Sequence, residues 1–407
     1  MMKELPLPEK AVCLIAGTFV QARLFVDANV ITKIDLIDRH PDLSQATHFV
    51  IPGLIDTHVH LTACTANLGA LTRLTPSLIS IAAAEELRHT LRRGFTTVRD
   101  AGGADCGLAD ASEQGLILTP RCTRVLFVGH AISQTGGHGD MRGKGEDDGQ
   151  QCGCCASSAR GIGVVADGVA ECRKVCRDEL RKGAHAIKIM ASGGVASPTD
   201  ALTDLQFSND EISAFVDEAA RKGTYVMAHA YTAEAILRAI QLGVTSIEHG
   251  NYLNEEAADA MAQMGASLSQ TIITYVALQE EGEKHGMPLE SVHKVADLVH
   301  AGMNSIQIAT KAGVNCTYGS DLLGGMRVRQ LEGFKCLLDA GMSTLEALRT
   351  ANENAAFLLG INAGEIKLGR LADVVVLNVN VLEVSNMRNW TSANVEQVFV
   401  GGERIEL

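Results

Sequence analysis

The chain has 407 residues, 46% hydrophobic and 20% charged, which is typical of a folded globular protein and excludes a disordered one. Its formal net charge is −13 and no basic cluster stands out, so nucleic acids and other polyanions are poor candidates as partners. We expect neither a membrane span nor export, because the sequence has no apolar run of about 18 residues and its N-terminal segment lacks the layout of a secretory signal.

Both chain ends carry short alternating apolar runs, such as AVCLIAG near the N-terminus and ADVVVLNV near the C-terminus. This pattern is typical of strands that are not separated by helices. We therefore expect residues 1–50 and 362–407 to pair into one small β-sandwich domain beside a larger domain formed by residues 51–361.

A different unit recurs between the two ends. A stretch with apolar residues at helical spacing ends in a polar residue and a glycine, and a short apolar run follows. Glycine just past a helix suits the left-handed conformation, and the apolar runs suit buried parallel strands. The glycines are Gly94, Gly183, Gly223, Gly243, Gly265 and Gly313. One of the helices has Asn209 or Asp210 as its expected N-cap.

Two further runs, FVIPGLID and TRVLFVG, bring the predicted strands to eight. Strands that alternate with helices indicate the α/β class with a parallel sheet, and eight of them favour a closed (β/α)₈ TIM-like barrel. An open doubly wound sheet is the alternative. No G-x-G-x-x-G opens a helix after the first strand, so a dinucleotide site is weakly supported.

Polar residues end most of the predicted strands, at the barrel face where function is expected. They are His58 and His60 on the first strand, Asp100 on the second, Lys188 on the fourth, His229 on the fifth, His249 on the sixth and Asp321 on the eighth. Side chains alternate along a strand, so both imidazoles of an H-x-H sequence point the same way and can hold one ion. We therefore predict a metal site.

Lys188 does not fit a simple ligand set, because an ammonium group has no lone pair to offer a cation. A buried lysine can lose its proton and react with carbon dioxide, and the resulting carbamate carries two anionic oxygens that can bridge two metals. The other interpretation is a lysine that forms an ion pair. The chemistry of the residue alone leaves both open.

Together these residues resemble the amidohydrolase superfamily in its binuclear form. The resemblance runs from about residue 50 to 378 and includes PGLIDTHVHL, TTVRDAGG, KIMASGGV, AHAYTAEAI, SIEHGNYL and GSDLLGG. The flanking sequences are similar to the branch that holds imidazolonepropionase-related enzymes, Xaa-Pro dipeptidases (prolidases) and Xaa-Arg/Lys carboxypeptidases. The N-terminal 50 residues depart from the family, because its usual Gly-Arg-Ile strand pair is not recognisable there.

The resemblance implies roles for the matched positions. Two zinc ions would be bound, the more buried one by His58, His60 and Asp321 and the other by His229 and His249. Lys188, as N6-carboxylysine formed from carbon dioxide, would bridge them together with a hydroxide. Asp321 would also be the catalytic residue, taking the proton of the hydroxide and passing it to the leaving nitrogen.

Substrate choice is expected to come from the loops after the strands. The loop over about 130–161 is long and glycine-rich and carries His130, His138 and Arg142, while Tyr231 lies two residues beyond His229. We predict that His138 and Tyr231 bind a free α-carboxylate of the substrate; the alternative is a solvated histidine and a packing tyrosine. The remaining histidines have no expected role in the chemistry.

The function expected first is a dipeptidase or carboxypeptidase that releases a C-terminal amino acid, with Xaa-Pro the leading substrate. Alternatives are an Xaa-Arg/Lys carboxypeptidase, for which Glu146, Asp147 and Asp148 could supply acidic groups, and an N-acyl amino acid amidohydrolase. An imidazolonepropionase-like hydrolase of cyclic amides is a further alternative. A scaffold without metals is disfavoured because all six ligand positions are filled.

The chain is expected to act on a small molecule, to form a homo-oligomer as family members often do, and to reside in the cytoplasm. Its eleven cysteines are scattered and odd in number, which favours a reducing compartment over a disulfide framework. Cys152, Cys154 and Cys155 could suggest a structural zinc site, but no partner pair with C-x₂-C spacing exists. We interpret them as free thiols in a polar loop.

Overall fold

The computed structural model describes residues 2–143 and 161–406. The strands in these ranges are β1 Lys3–Glu4, β2 Ala11–Ile15, β3 Thr18–Asp27, β4 Val30–Asp38, β5 His48–Pro52, β6 Leu54–Val59, β7 Phe95–Asp100, β8 Arg124–Phe127, β9 Ala131–Ser133, β10 Gly163–Val165, β11 Ile187–Met190, β12 Val226–Thr232, β13 Ser246–Tyr252, β14 Ser267–Gln270, β15 Asn315–Tyr318, β16 Val374–Leu377, β17 Val395–Val400 and β18 Glu403–Ile405.

The α-helices lie mainly between the barrel strands. They are α1 Pro76–Arg92, α2 Cys106–Glu113, α3 Val169–Arg181, α4 Asn209–Arg221, α5 Ala233–Gln241, α6 Glu255–Met264, α7 Ile272–Glu281, α8 Leu289–His293, α9 Leu298–Ala312, α10 Gly333–Asp339, α11 Thr344–Thr350, α12 Glu353–Leu359 and α13 Val384–Arg388. None of the helices in the described ranges has the length and apolar character needed to cross a bilayer.

The two chain ends form one curled sheet in the order β1-β3-β2-β5-β16-β17-β18, with β4 paired to the other side of β3. The β2–β3 hairpin turns at Ala16 and Gly17, which have φ values of 49° and 81°, as a tight two-residue turn requires. Antiparallel pairing of β5 with β16 joins the N-terminal and C-terminal strands. Its buried face packs around residues such as Leu24, Val50 and Phe399.

Parallel strands of the middle segment form the barrel, in two runs: β6-β7-β8 and β10-β9-β11-β12-β13-β14-β15. Two backbone hydrogen bonds join these runs into a closed barrel. The N–H of Asp321, just past β15, donates to the carbonyl of His58 on β6 at 2.8 Å. The N–H of His185, just before β11, donates to the carbonyl of Phe127 on β8 at 2.8 Å. The predicted barrel with a small β-domain from both chain ends is therefore confirmed.

The repeated helix–glycine–strand unit is also present. All six predicted glycines have positive φ, between 65° for Gly265 and 97° for Gly243. The predicted cap of α4 was wrong, because Ser208 caps this helix: its side chain accepts the N–H of Glu211 at 3.3 Å, and the Glu211 carboxylate accepts the N–H of Ser208 at 2.7 Å. Asn209 is free to accept from Arg238 instead, at 2.6 Å.

The run FVIPGLID was predicted as one strand but supplies two. Its first half is β5 of the curled sheet, and its second half belongs to β6, the first barrel strand. The chain crosses at Gly53, whose N–H donates to the carbonyl of Asp373 at 2.8 Å. A Cβ at Gly53 would lie 2.2 Å from Thr96 Oγ1, so a side chain does not fit at the crossing. The division into residues 1–50 with 362–407 and 51–361 stays a prediction.

The cysteines in the described ranges form no disulfide with one another. They are Cys13, Cys64, Cys106, Cys122, Cys172, Cys176, Cys316 and Cys336. Cys152, Cys154 and Cys155 lie outside the described residues, so their interpretation as free thiols stays a prediction.

Candidate active site

A single cavity at the C-terminal end of the barrel strands brings together all eight residues that the sequence predicted as site residues. Six of them, which we call the cavity floor, come from strands or from the first three residues after a strand: His58, His60, Lys188, His229, His249 and Asp321. The other two, His138 and Tyr231, face the same space. The cavity wall is mostly apolar and includes Leu68, Met141, Ile162, Val195, Tyr275, Leu278, Met287 and Leu323.

The first and last barrel strands are fixed to each other directly beneath the cavity floor. Asp56 Oδ1 accepts the backbone N–H of His58 at 3.1 Å and that of Ser320 at 3.0 Å. Gln330 Nε2 donates to the second carboxylate oxygen of Asp56 at 2.7 Å. One buried carboxylate thus sets the backbone positions of both His58 and Asp321.

The floor residues lie close enough to share ions. Asp321 Oδ1 is 3.7 Å from His58 Nε2 and 3.4 Å from His60 Nε2, and Asp321 Oδ2 is 3.8 Å from His249 Nδ1. His58, His249 and Asp321 each offer one ligand atom, and these atoms all lie within 4.8 Å of one another. The His229 and His249 ring centroids are 4.6 Å apart. This arrangement is a candidate metal site.

Hydrogen bonds fix the orientation of the imidazoles. Nδ1 of His58 lies 2.6 Å from Glu248 Oε2, Nδ1 of His60 lies 2.9 Å from the carbonyl of Gly102, and Nε2 of His229 lies 3.0 Å from the carbonyl of Gly193. These oxygens only accept, so each of these ring nitrogens carries the proton. The second ring nitrogen then has a free lone pair, as metal-binding histidines require.

The protonation of the histidines agrees with this orientation. Burial holds the pKa of His58, His229 and His249 well below the ordinary range and lowers the pKa of His60 to about 4. His58 Nε2 is buried with no hydrogen-bond partner among the described residues. A buried lone pair without a donor is costly unless something binds it, so the donor set fits a metal ion.

Lys188 and Asp321 have pKa values shifted toward neutrality. Burial lowers the pKa of Lys188 to about 8, although nearby Glu248 and Asp321 oppose the shift. Burial raises the pKa of Asp321 to about 7. Lys188 occupies the second position of β11 and not its end as predicted, but it lines the cavity. A lysine near its pKa at neutral pH has enough free amine to react with carbon dioxide.

An ion pair below the cavity floor was not predicted from the sequence. The Arg99 guanidinium donates to both oxygens of Glu248, at 2.8 and 3.0 Å, and Arg99 Nε donates to the carbonyl of Thr57 at 2.6 Å. Glu248 in turn accepts from His58, so the pair orients a floor histidine. The only sequence signal was a charged residue inside a buried strand, directly before Asp100 in one case and before His249 in the other.

Asp100 ends the second strand as predicted but does not line the cavity. Its carboxylate accepts the backbone N–H groups of Leu61, Gly102 and Ala104, at 2.7, 3.0 and 3.1 Å. Because Gly102 also accepts from His60, Asp100 supports the loop that orients this histidine. Its position at a strand end therefore reflects loop structure.

The two predicted substrate-binding residues stack on the floor. The His138 ring lies 4.2 Å from the His229 ring, and the Tyr231 ring lies 5.4 Å from the His249 ring. Nδ1 of His138 is 2.7 Å from Ser197 Oγ. The Tyr231 hydroxyl is 2.8 Å from the hydroxyl of Tyr275 on α7.

The other candidates from the long loop lie elsewhere. His130 hydrogen-bonds to Glu179 at 2.9 Å and does not line the cavity, and Arg142 pairs with Asp140 at 2.6 Å. Glu146, Asp147 and Asp148 lie outside the described residues. Among the described histidines, those without an expected role are also absent from the cavity lining: His40, His48, His89, His185, His285, His293 and His300.

Comparisons with known proteins agree with this geometry. Residues 49–405 match the sequence profile described as the amidohydrolase family. An ochratoxinase from Aspergillus niger is 33% identical over 390 residues, which cover 91% of this chain and 79% of the relative. A solved prolidase in complex with N-methylphosphonate-L-proline is 42% identical, covers 100% of both chains and has a TM-score of 0.92. A solved Xaa-Pro dipeptidase with bound methionine is 26% identical, covers 97% of this chain and 99% of its own, and has a TM-score of 0.80.

Proposed function

The chain belongs to the amidohydrolase family and is a hydrolase that acts on amide bonds, and from this premise we propose that it releases a C-terminal amino acid from dipeptides, with Xaa-Pro favoured. The observation that carries the proposal is one cavity that holds a histidine-rich floor, the rings of His138 and Tyr231 stacked on that floor, and a mostly apolar wall. A floor that can bind metal suits hydrolysis, and an imidazole and a phenol suit recognition of a carboxylate.

We propose that the floor binds two zinc ions: His58, His60 and Asp321 would hold one, His229 and His249 would hold the other, and carboxylated Lys188 would supply further oxygen ligands. When bound, such ions polarise the scissile carbonyl and make water acidic enough to attack near neutral pH. Oxygens of Glu248, Gly102 and Gly193 each accept a hydrogen bond from one ring nitrogen of a floor histidine. The other ring nitrogen of each histidine therefore keeps a free lone pair, which supports this assignment.

Asp321 is the proposed proton carrier. Its carboxylate oxygens lie 3.4 to 3.8 Å from nitrogens of three floor histidines, at the centre of the site. From this position the carboxylate would take a proton from the attacking water and pass it to the leaving nitrogen.

His138 and Tyr231 are proposed to bind the free α-carboxylate of the substrate, while the apolar wall accepts the side chain of the released residue. Among the described lining residues the only acidic group is Asp321, which the floor already uses. These described residues supply no further counter-charge for a cationic side chain. Glu146, Asp147 and Asp148 lie outside the described residues, so Xaa-Arg and Xaa-Lys substrates stay an alternative that a substrate panel tests. A prolyl ring suits a wall built from Met141, Val195 and Met287.

Hydrolysis of N-acyl amino acids is the second candidate, because these substrates also pair an amide bond with a free carboxylate. Such a substrate would use the same carboxylate contacts, and an apolar wall would accept an aromatic side chain as well as proline. An imidazolonepropionase-like reaction on a cyclic amide is less well supported, because it leaves His138 and Tyr231 without a stated partner. A metal-free scaffold is also less well supported, because it would not need the free ring-nitrogen lone pairs of the floor histidines.

A substrate panel tests the function directly. The zinc-loaded protein, supplied with bicarbonate, is incubated with Xaa-Pro, Xaa-Arg, Xaa-Lys and Xaa-Phe dipeptides and with N-acyl amino acids, and the released amino acid is quantified. We expect proline to be released fastest. Faster release from N-acyl amino acids would favour the second candidate, and no release in the presence of bound metal would refute both.

Carboxylation of Lys188 is tested separately. We expect ¹³C-bicarbonate to give one carbamate signal in the carbon NMR spectrum of the zinc-loaded protein, and Lys188→Gln to abolish it. Lys294→Gln, which removes an amine that binds backbone carbonyls, is the control and should keep the signal. A signal that persists in Lys188→Gln would exclude this lysine as the carboxylated residue.

We also propose that the protein acts as a homo-oligomer in the cytoplasm, as the family resemblance and the scattered cysteines favour. Light scattering coupled to size exclusion measures the assembly, and fractionation of the source cells measures the compartment. A monomer, or recovery outside the cytoplasm, would contradict the respective statement.

A further inference from the structure

Asp200 is a buried carboxylate that has no place in the chemistry described above. Its side chain is 1% exposed and lies in the loop after β11, outside the cavity lining. Asp200 Oδ2 accepts the backbone N–H of Gly194 at 3.1 Å and Gln206 Nε2 at 3.0 Å. Lys294, which follows α8, holds this loop by donating to the carbonyls of Gly194, Ser197 and Asp200 at 2.9 to 3.1 Å.

A chain of hydrogen bonds connects Asp200 to His138. The Ser197 hydroxyl donates its one proton to Asp200 Oδ1, so it can only accept from its other neighbour. That neighbour is Nδ1 of His138, at 2.7 Å. Nδ1 therefore carries a proton, and Nε2 is the ring nitrogen left for a ligand in the cavity.

Asp200 also supports the His138 ring through the backbone of Gly194. The ring lies between the His229 ring, 4.2 Å away, and the backbone of Gly194. A Cβ at Gly194 would lie 2.2 Å from Cε1 of His138, so the ring keeps its place only because residue 194 has no side chain. Asp200 fixes this backbone by accepting the N–H of Gly194.

We propose that Asp200 is a positioning residue for recognition of the substrate carboxylate, acting through Ser197 and the Gly194 backbone to hold His138 against His229 with Nε2 toward the cavity. This inference rests on the proposed function, in which His138 binds the free carboxylate of the substrate. It adds that Asp200 holds His138 in the orientation that this binding requires. It predicts that residues that never touch the substrate set the preference for dipeptides over their amides.

The test compares Ala-Pro with alanyl-prolinamide in the zinc-loaded variants Ser197→Ala and Asp200→Ala. We expect KM for Ala-Pro to rise about tenfold, as for loss of one hydrogen bond to a charged group. We expect kcat, and KM for the amide, to stay unchanged. Asp204→Ala is the matched control, because this exposed aspartate of the same loop caps the N–H of Ala201 at 2.8 Å and does not contact Ser197.

Two further variants separate positioning from general damage. Gly194→Ala leaves every charge in place but displaces the His138 ring, so it should reproduce the rise in KM for Ala-Pro. In a His138→Ala background, Ser197→Ala should have no further effect. Equal rises in KM for the dipeptide and the amide, or additive effects with His138→Ala, would overturn the inference.

Imidazole ¹⁵N NMR of the metal-free protein tests the inference without any activity, so its failure is distinguishable from failure of the proposed function. We expect neutral His138 to be protonated at Nδ1 in the original chain and in Asp204→Ala. Ser197→Ala should shift the proton toward Nε2. A predominantly Nε2-protonated His138 in the original chain would refute the hydrogen-bond chain.

Discussion

The floor and the wall of the cavity are built from different kinds of structure. Floor residues such as His229 and His249 are part of barrel strands, whose register is fixed by pairing along β12 and β13. His138 and the wall residues Met141, Val195 and Tyr275 come from the loops after β9 and β11 and from α7. The floor therefore inherits its geometry from the fold, while the wall depends on contacts between loops.

This difference suggests a division of labour. Every floor group has chemistry suited to metal binding or proton transfer, whereas the wall offers mainly methionine, valine and leucine surface. Strand residues are held rigidly, as catalytic groups require, and loops can differ without disturbing the barrel. We therefore expect changes to the floor to abolish turnover, and changes to the wall to alter which substrate is turned over.

The largest effect is expected at Asp321. Asp321→Asn should lower kcat by about 10² to 10⁴, the usual contribution of a general acid–base group, without unfolding the protein. Asparagine tolerates the positive backbone angle at this position, where φ is 50°. Measured kcat, metal content and circular dichroism check this prediction.

Asp100 provides the control, because it is a buried aspartate at the end of a barrel strand that does not line the active-site cavity. Asp100→Asn should lower the free energy of unfolding by about 1 to 3 kcal/mol, since the amide cannot accept all three backbone N–H groups. It should leave most of the turnover in place. Similar losses of kcat in both variants would remove the distinction between floor chemistry and loop support.

An intermediate effect is expected at Glu248, which orients His58 from below the floor. Glu248→Gln should weaken metal binding about 10- to 100-fold, as is usual when the partner of a metal-binding histidine is lost. Its amide N–H₂ would face either Arg99 or His58, both of which donate. Competition with a chelator measures the affinity, and thermal unfolding measures the accompanying loss of stability.

Glu179→Gln is the matched control for Glu248→Gln. Glu179 also accepts from a histidine ring, that of His130 at 2.9 Å, but this pair lies outside the cavity. Metal affinity should not change in this variant. Unchanged affinity in Glu248→Gln as well would mean that the buried ion pair with Arg99 serves stability alone.

The floor could be predicted from the sequence because a barrel places strand ends together. Once His58, His60, His229, His249 and Asp321 were assigned to strand ends, no contact had to be known to group them. The fold could also be predicted, because each repeated helix–glycine–strand unit is formed by neighbouring residues and can be recognised without knowledge of distant contacts.

Contacts between distant side chains could not be predicted. His138 and Ser197 are 59 residues apart in sequence, and Arg99 and Glu248 are 149 residues apart. Neither pair carries a spacing pattern that would link its members. Local competition was missed as well, since Ser208 and Asn209 are both good N-caps and only the backbone geometry decides between them.

The smallest effect is expected at Tyr275, a wall residue that contacts Tyr231, one of the two residues proposed to bind the substrate. Tyr275→Phe removes the hydroxyl that lies 2.8 Å from the Tyr231 hydroxyl and leaves the ring in place. Loss of one neutral hydrogen bond corresponds to about 1 kcal/mol, so KM for Ala-Pro should rise about fivefold with kcat unchanged. Initial-rate kinetics on Ala-Pro and alanyl-prolinamide measure both constants.

Tyr252→Phe, at an exposed tyrosine of β13, should leave both constants unchanged. The pattern in Tyr275→Phe then separates two roles for Tyr231. A rise in KM confined to Ala-Pro would mean that the paired hydroxyls orient Tyr231 toward the substrate carboxylate. A fall in kcat for both substrates would place Tyr231 beside the reacting carbonyl. Tyr231 would then act with the catalytic floor, and His138 alone would serve substrate recognition.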